Sequence, residues 1–519
     1  MNRTRGAFAL AGVVAGLAGL ATSYFVAGAM SIRESPVVAV AELVIRLTPG
    51  ALAESAIQAV GTADKPLLVI AILLIITGLF AVAGRLAERR YWASALVFAA
   101  LAALAAVAVL TRRGSELTDA IPVAVGLVTW LVALSLLTEP LRKMARLEPR
   151  RAGQPGVDVG NAVQRDSSRR GFLIGAGVMA AAAGALGVIG RVLGGGRRRV
   201  EETRRLLRIS EISEPLMPPD TRVEVDGVSS WMTPNEEFYR IDTTIGTPTI
   251  EPKEWTLRIH GLVEREVVIT YDELVARQFT EGWITLNCVS NPVGGTLIGN
   301  AWWSGVRLAD LLSEAGLDPS ADAVLQTSED GWTCGTPIEA LTDDRNAMLA
   351  VGMNGKPLPI DHGFPVRTIV PGLYGYVSAT KWVVDMEVTR FSDITAYWTE
   401  RGWGELGPVK MSSRVEVPLS GQEVAAGPVT FAGTAWSQHT GIAGVEVAVD
   451  GGSWTPAELA GAPTDDCWVQ WRAEVDVTQG DHLVRVRATD KEGLVQTGVE
   501  RDVLPDGATG WHTIDFRAS

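Results

Sequence analysis

The stretch WITLNCVSNPVGG, residues 283–295, decides how the rest of the chain is interpreted. Ile284, Leu286 and Cys288 alternate with polar residues, which is the period-two pattern of a β-strand, and the run SNPVGG then breaks that pattern with turn-forming residues. We therefore predict that Cys288 lies where a strand opens into a loop. Because a lone cysteine is most often a small buried apolar side chain, its role has to be judged from its neighbours.

Four further motifs accompany this stretch along the chain. They are TPNEEFYRID at 233–242, WTLRIHGLV at 255–263, AWWSGVRLADLL at 301–312 and MNGKPLPIDHGFPVRTIVPGLYGYVSATKW at 353–382. Together with the cysteine stretch they resemble the sulfite oxidase family of molybdopterin enzymes, over nearly all of the chain after about Ser210. The resemblance implies an oxidoreductase that carries a molybdenum-molybdopterin cofactor.

The resemblance also implies which side chains hold that cofactor. In the family the counterpart of Cys288 is the one protein thiolate on molybdenum, and anionic sulfur is a donor that suits a high-valent metal. The pterin carries a phosphate, which requires fixed positive charge and directed hydrogen-bond donors. We expect Cys288 and Arg240 at the catalytic centre, with Cys288 as the metal ligand. The expected cofactor-binding residues are Tyr239, Arg240, Ser328, His362, Arg367, Thr380 and Lys381.

Two departures from the family pattern bear on the substrate. In the sulfite-oxidising members an arginine pair closely follows the cysteine, whereas residues 289–293 of this chain, VSNPV, contain no arginine. A tyrosine that the sulfite oxidases place after the last motif is matched here by Trp403. Because an anion such as sulfite needs positive charge beside the metal, we expect a neutral S- or N-oxide as the substrate, with sulfite oxidation as the alternative.

The charge of the chain is divided between its two parts. Residues 1–200 carry 22 Lys and Arg against 11 Asp and Glu, a net charge of +11, whereas residues 201–519 carry a net charge of −24. A domain this acidic repels nucleic-acid phosphates and suits a water-facing role, so we expect no nucleic-acid partner. The three cysteines give no disulfide framework, and we expect Cys334 and Cys467 to be free thiols.

An apolar content of 47% and a positive mean hydropathy indicate a membrane portion. Four segments are apolar and long enough to span a bilayer: residues 7–30, 66–84, 91–110 and 121–138. Basic residues before the first span, between the second and third, and after the fourth predict that these loops are cytoplasmic. Residues 1–200 contain no histidine, which excludes a bis-histidine haem in this part of the chain.

A fifth apolar segment, residues 172–189, follows the motif DSSRRGFLIGAG at 166–177. Ser168, Arg169 and Arg170 are placed as in a twin-arginine export signal, a route that carries proteins already folded around their cofactor. The alternative is that these basic residues simply flank a membrane helix. We expect the segment to remain as an anchor in a multi-pass protein of the cytoplasmic membrane, with the catalytic domain on the extracytoplasmic side.

The sequence predicts an α-helical membrane region, an α+β molybdopterin domain and an all-β immunoglobulin-like sandwich. Their bounds are 1–150 for four membrane helices, 151–195 for the twin-arginine-like motif and fifth helix, 196–230 for a linker, 231–405 for the molybdopterin domain and 406–519 for the sandwich. In the α+β domain we predict strands at 255–259, 267–269, 283–288, 366–370 and 382–389, and helices at 271–277 and 308–315. Thr270 and Glu273 have the spacing of a capping box, and Asp450 begins a hairpin turn.

The expected partners follow from these assignments. Since no haem site is encoded, electrons must pass to or from a separate carrier, either a quinone-linked subunit or a cytochrome. Besides a small-molecule substrate and membrane lipid, we expect a homodimer formed through the C-terminal domain, as the resemblance implies. Two other functional classes are a non-catalytic binding module and a small-solute transporter. The surroundings of Cys288 disfavour the first, and the lack of charged residues at the centres of the four spans disfavours the second.

Overall fold

The computed structural model describes residues 2–30, 32, 35–49, 52, 63–112, 115–146, 158–193 and 196–519. These residues divide into two compact units. The first contains residues up to 199 together with 243–246, and the second contains residues 200–242 and 247–519. Each unit has its own hydrophobic core.

The first unit is α-helical in the part of it that the structure describes. Its helices are α1 (Asn2–Ala29), α2 (Pro36–Leu47), α3 (Asp64–Ala87), α4 (Tyr91–Leu110), α5 (Ile121–Arg146) and α6 (Asp158–Leu193). Apart from α2, these helices are long and apolar enough to cross a membrane. They contain the five segments predicted from the sequence, except that α1 ends one residue before the predicted end of the first segment. Helix α6 begins before the twin-arginine-like motif, but the side chains of Ser168 and Arg169 lie outside the described residues.

Close packing of these helices depends on small residues. Gly12 of α1 approaches α3 so closely that a Cβ there would lie 2.1 Å from Phe80 O and 2.6 Å from Gly84 N. Trp130 of α5 donates its indole N–H to Gly16 O of α1 at 2.8 Å. The core of this unit therefore consists largely of alanine, glycine and aromatic residues, as in helix bundles within membranes.

The second unit begins with a segment that is packed rather than extended. Val200, the first residue of this unit, belongs to helix α7 (Gly196–Leu206), and its side chain is buried among residues of the domain that contains Cys288. Further along, Ser213 N–H donates to Glu281 at 3.0 Å, and Val223 N–H donates to Gln470 at 3.1 Å. The predicted linker is thus held by both of the domains that follow it.

The domain that contains Cys288 is α+β. Its elements are β1 (Thr256–Gly261), β2 (Val267–Thr270), α8 (Tyr271–Val275), β3 (Thr280–Asn287), β4 (Ile298–Arg307), α9 (Leu308–Ala315), β5 (Ala323–Ser328), β6 (Thr333–Pro337), α10 (Ile338–Thr342), β7 (Met348–Met353), β8 (Lys356–Pro357), β9 (Arg367–Ile369) and β10 (Val383–Thr389). One sheet has the order β2-β1-β10-β5-β6, and the other has the order β3-β4-β7-β8 with β9 paired to β7. Strand β3 therefore forms an edge of the second sheet.

The local predictions for this domain agree with the structure. Strand β3 ends at Asn287, so Cys288 is the first residue of the following loop. The capping box forms, because Thr270 accepts from Glu273 N–H while the Glu273 carboxylate accepts from Thr270 N–H. Helix α9 has the predicted bounds, whereas α8 ends at Val275, two residues before the predicted end.

The C-terminal domain is all-β. Its strands are β11 (Ser412–Val417), β12 (Gln422–Val424), β13 (Gly427–Trp436), β14 (Ile442–Val449), β15 (Thr455–Pro456), β16 (Glu458–Leu459), β17 (Val469–Val477), β18 (Gly480–Asp490) and β19 (Thr513–Ala518). They form sheets of order β11-β13-β17-β16 and β12-β19-β18-β14-β15, which enclose a shared core containing Phe431, Trp471 and Phe516. The predicted hairpin turn joins β14 to β15, with positive φ angles of 52° at Asp450 and 70° at Gly451.

Candidate active site

Cys288 is fixed by hydrogen bonds within its own loop. Its N–H donates to Leu297 O at 3.0 Å, and its carbonyl accepts from Asn291 N–H at 3.1 Å. The buried Asn291 side chain in turn accepts from Leu297 N–H at 2.9 Å. The thiol is half-buried, and neither it nor the thiols of Cys334 and Cys467 form a disulfide. A partly accessible thiol on an ordered loop is suited to binding a metal.

Two tyrosines lie in the electrostatic range of Cys288. Burial, reinforced by the charge of a Cys288 thiolate, raises the pKa of the Tyr239 phenol above its ordinary value and that of Tyr374 to about 12. Tyr239 Oη lies 3.8 Å from the position that a Cβ on Gly375 would take, and Gly375 N–H donates to Asn287 O at 3.2 Å. Both phenols therefore remain protonated at neutral pH and are available as hydrogen-bond donors.

Arg367 is a buried cation for which the described residues supply no carboxylate partner. Its Nη1 donates to His362 O at 3.0 Å, its Cζ lies 5.2 Å from the centre of the Trp303 ring, and its Nε has no hydrogen-bond partner among the described residues. Burial lowers the pKa of the guanidinium to about 10. Because burying a charge without a partner is costly, this position fits an anionic ligand such as a phosphate.

His362 is neutral at pH 7. Burial, followed by the nearby charge of Arg367, lowers the pKa of its imidazole to about 4. Its Nε2 lies 3.0 Å from Asn235 O, and since a carbonyl only accepts, Nε2 carries the proton. Gly363 follows with φ +110°, and a Cβ there would stand 2.9 Å from Arg367 Cβ, so only glycine permits this approach.

Arg240 and Lys381 are both held by acidic side chains. Arg240 Nε lies 2.6 Å from Asp242 Oδ2, and its Nη1 lies 3.2 Å from Asp361 Oδ1. Lys381 pairs with the other oxygen of Asp242, which is almost fully buried. The structure therefore brings the predicted cations together near His362, but it offsets the charge of these two, whereas that of Arg367 is not offset.

The two predicted hydroxyl residues differ in what their side chains can offer. Thr380 is buried with its Oγ1 3.2 Å from Cys334 Sγ, so its hydroxyl already has a neighbour. In the part of the chain that the structure describes, neither the buried Oγ of Ser328, at the end of β5, nor Oδ1 of Asn287, beside Cys288, has a hydrogen-bond partner. Buried polar atoms are normally hydrogen-bonded, so these atoms, like Arg367 Nε, fit a polar ligand bound in the fold.

Sequence reasoning missed two members of this group. Asn287 precedes Cys288 on β3, and its position next to the predicted ligand was a usable signal. Tyr374 lies in the segment PGLYGY of the last motif, but only the fold brings it to Cys288. Trp403, in contrast, is buried against Tyr376 and Trp398 as part of the hydrophobic core.

Comparisons with known proteins give two family matches, one for each domain of the second unit. Residues 244–398 match a family described as the oxidoreductase molybdopterin binding domain, and residues 409–517 match the Mo-co oxidoreductase dimerisation domain. The sulfite oxidase of Gallus gallus is 30% identical over 337 residues, which cover 54% of this chain and 72% of that protein.

Two further relatives match this chain over shorter stretches. The mitochondrial sulfite oxidase of Mus musculus is 28% identical over 330 residues, which cover 54% of this chain and 59% of that protein. The uncharacterized oxidoreductase YuiH of Bacillus subtilis is 31% identical over 150 residues, which cover 29% of this chain and 72% of that protein. The chain thus spans little more than half the length of the mouse protein.

Proposed function

The chain belongs to the sulfite oxidase family of molybdenum-dependent oxidoreductases, and on that premise we propose that it reduces a neutral S- or N-oxide outside the cytoplasmic membrane. Since it is an enzyme of this family, a purely binding role is excluded. The molybdenum-molybdopterin cofactor, when bound, supplies the two-electron and oxygen-atom chemistry. The residues of the chain bind the cofactor, orient it and set the charge around the substrate.

The main support for a cofactor site is Arg367, a buried cation for which no carboxylate partner lies among the described residues. A phosphate at this position would gain a charge-assisted hydrogen bond and would remove the cost of a buried guanidinium. Ser328 and Asn287 contribute their unpartnered polar atoms, and Cys288 provides the thiolate for the metal. Neutral His362 donates from Nε2 to Asn235 O, and its own carbonyl accepts from Arg367. His362 therefore orders the segment that leads to Arg367.

The proposed substrate class follows from the charge beside Cys288. The loop from Val289 to Leu297 contains no basic residue, and Arg240 is engaged by Asp242 and Asp361. The protonated phenols of Tyr239 and Tyr374 are neutral donors, which suit the oxygen of a sulfoxide or N-oxide better than an anion. Oxidation of sulfite is the second candidate, because the mouse and chicken relatives are named sulfite oxidases.

The location and partners are part of the same proposal. Five helices long enough to span a membrane and the Arg169-Arg170 motif support an anchored protein with an exported catalytic domain. Residues 1–200 lack histidine, so electrons would come from a separate quinone-linked or cytochrome carrier. The match to a dimerisation domain at residues 409–517 supports a homodimer formed through that domain.

Steady-state assays of the detergent-solubilised full chain, normalised to bound molybdenum, test this function. We expect faster reduction of a methyl sulfoxide than oxidation of sulfite. Ser290→Arg, which adds positive charge two residues after Cys288, should raise the ratio of sulfite to sulfoxide turnover, whereas Ser290→Gln, of similar length and neutral, should not. Sulfite turnover well above sulfoxide turnover in the unaltered protein would refute the neutral-oxide proposal.

A further inference from the structure

The C-terminal domain covers the free edge of β3, the strand that leads into Cys288. Strand β3 is at the edge of its sheet, so its outward backbone groups need partners from elsewhere. At Thr285, three residues before Cys288, the N–H donates to Asp466 O at 2.9 Å and the carbonyl accepts from the Gln438 side chain. The Thr285 hydroxyl accepts from Trp468 N–H at 2.9 Å. Residues of the C-terminal domain thus fix one end of the cysteine segment, residues 285–295.

The same domain holds the other end of the segment. Arg414 of β11 donates from Nη1 to Gly295 O at 2.7 Å. The ring of His512 lies against Gly294, where a Cβ would stand 2.1 Å from the imidazole Cδ2, and Gly294 has φ +77°. Since a side chain at 294 would collide with the imidazole, the loop is shaped to receive this ring.

Both contacting side chains are themselves fixed. Arg414 is 6% exposed, donates from Nε to Glu416 at 2.6 Å and from Nη2 to Ser229 at 3.1 Å. His512 Nδ1 accepts from Val415 N–H at 3.0 Å, so its Nε2 carries the proton in the neutral form. Burial, and then the charge of Arg414, lowers the pKa of His512, which keeps the imidazole neutral at pH 7.

We propose that Arg414 and His512 are positioning residues for Cys288, so that the C-terminal domain is part of the catalytic machinery as well as a site of dimerisation. The backbone of Cys288 bonds to Leu297 and Asn291 of its own loop, and the loop is located by Thr285 on one side and by the Arg414 and His512 contacts on the other. A misplacement of a reacting group by about 1 Å costs on the order of 100-fold in rate. The proposal rests on the proposed function in one respect, namely that Cys288 binds the metal.

The first test uses full-length protein without cofactor and therefore does not depend on the metal assignment. Hydrogen exchange is measured for the peptide covering residues 288–297 in His512→Ala and, as a matched control, in His482→Ala. His482 is an imidazole of the same domain that bonds to Asp450 and Thr478 O. We expect exchange of the loop to rise at least about tenfold in His512→Ala only, with residues 484–488 of the domain core unchanged. Loop exchange equal in the two variants would overturn the proposal.

The second test uses the molybdenum-loaded enzyme. Arg414→Lys keeps a positive charge for Glu416 but lacks the planar guanidinium that also reaches Gly295 O. The control is Arg472→Lys, because Arg472 pairs with the exposed Glu458. We expect kcat to fall about tenfold in Arg414→Lys with KM changed less than about twofold, together with an altered paramagnetic molybdenum spectrum at equal metal content. An unaltered spectrum and kcat would overturn the positioning role.

The two tests separate the failure of this proposal from that of the proposed function. If His512→Ala does not fold, the exchange experiment is carried out on Arg414→Lys and decides the matter in the same way. If Cys288→Ser keeps its metal and its turnover, the ligand assignment fails. In that case loop exchange still reports whether the C-terminal domain orders residues 288–297.

Discussion

Replacing Arg367 by methionine tests whether this arginine stabilises the fold or serves to bind a ligand. A structural buried arginine stabilises the folded chain, whereas one reserved for a bound phosphate costs free energy until the phosphate arrives. We therefore expect Arg367→Met to leave the stability of the cofactor-free protein nearly unchanged while it abolishes retention of molybdopterin.

The magnitude follows from the surroundings of the guanidinium. Its pKa falls from 12.5 to about 10 on folding, which corresponds to roughly 3 kcal/mol of unfavourable burial at about 1.4 kcal/mol per pH unit. Since the group is charged in both folded and unfolded chains below pH 10, this cost is fully present at neutral pH. Methionine would relieve it but would lose the bond to His362 O, about 2 kcal/mol, and the contact with Trp303, about 0.5–1 kcal/mol. The net change in the free energy of unfolding should lie within about 1 kcal/mol.

Arg414→Met is the matched control, because Arg414 is equally buried but is paired with Glu416. Breaking that pair should cost about 3 kcal/mol, since it leaves the Glu416 carboxylate, whose side chain is only 10% exposed, without a cation. Pulse proteolysis in urea on full-length protein in detergent, produced in cells that cannot make molybdopterin, measures both values. Molybdenum and pterin are then measured in protein from normal cells. A loss of 3 kcal/mol or more in Arg367→Met, with the cofactor retained, would refute this reasoning.

Three further predictions concern the metal, acid stability and export. Cys288→Ser should keep much of the pterin but lose turnover by more than about 100-fold, as measured by pterin fluorescence and steady-state assay; undiminished turnover would contradict the ligand assignment. His362 has a pKa of about 4 when folded and 6.5 when unfolded, so the unfolded chain binds more protons between these values. Cofactor-free protein should lose up to about 3 kcal/mol between pH 6.5 and 4, and urea titrations of His362→Gln should show a flatter dependence. Replacing Arg169 and Arg170 by lysine should keep a reporter fused after Leu206 inside the cell, and a reporter that stays external would count against the signal.

Local features of the fold could be predicted because they depend on neighbouring residues. The alternation of Ile284 and Leu286 placed the end of β3 to within one residue, and the spacing of Thr270 and Glu273 gave a capping box that the structure contains. The fifth apolar segment, residues 172–189, was predicted from its length and composition alone. In each case the physical cause lies within a few residues, so the sequence displays it directly.

Features that depend on distant residues could not be predicted in this way. Alternation in β3 leaves Thr285 on the polar face, yet this side chain is fully buried because the C-terminal domain covers it. The partners of Arg240 include Asp361, which lies far along the chain, so its partial neutralisation was not visible in the motif FYRID. The absence of a carboxylate at Arg367 among the described residues is likewise a property of the folded site.

The closure of β3 by the C-terminal domain also sets an order of events during biosynthesis. Trp468 N–H donates to the Thr285 hydroxyl, although Trp468 lies 183 residues further along the chain. Trp231 and Trp468, which are 237 residues apart, each donate an indole N–H to the backbone carbonyl of the other. The ribosome therefore has to synthesise the chain at least as far as Trp468 before the cysteine loop can reach its final position. Cofactor insertion must follow the synthesis of these residues, and a chain truncated before Trp468 would lack a finished receptor for molybdopterin.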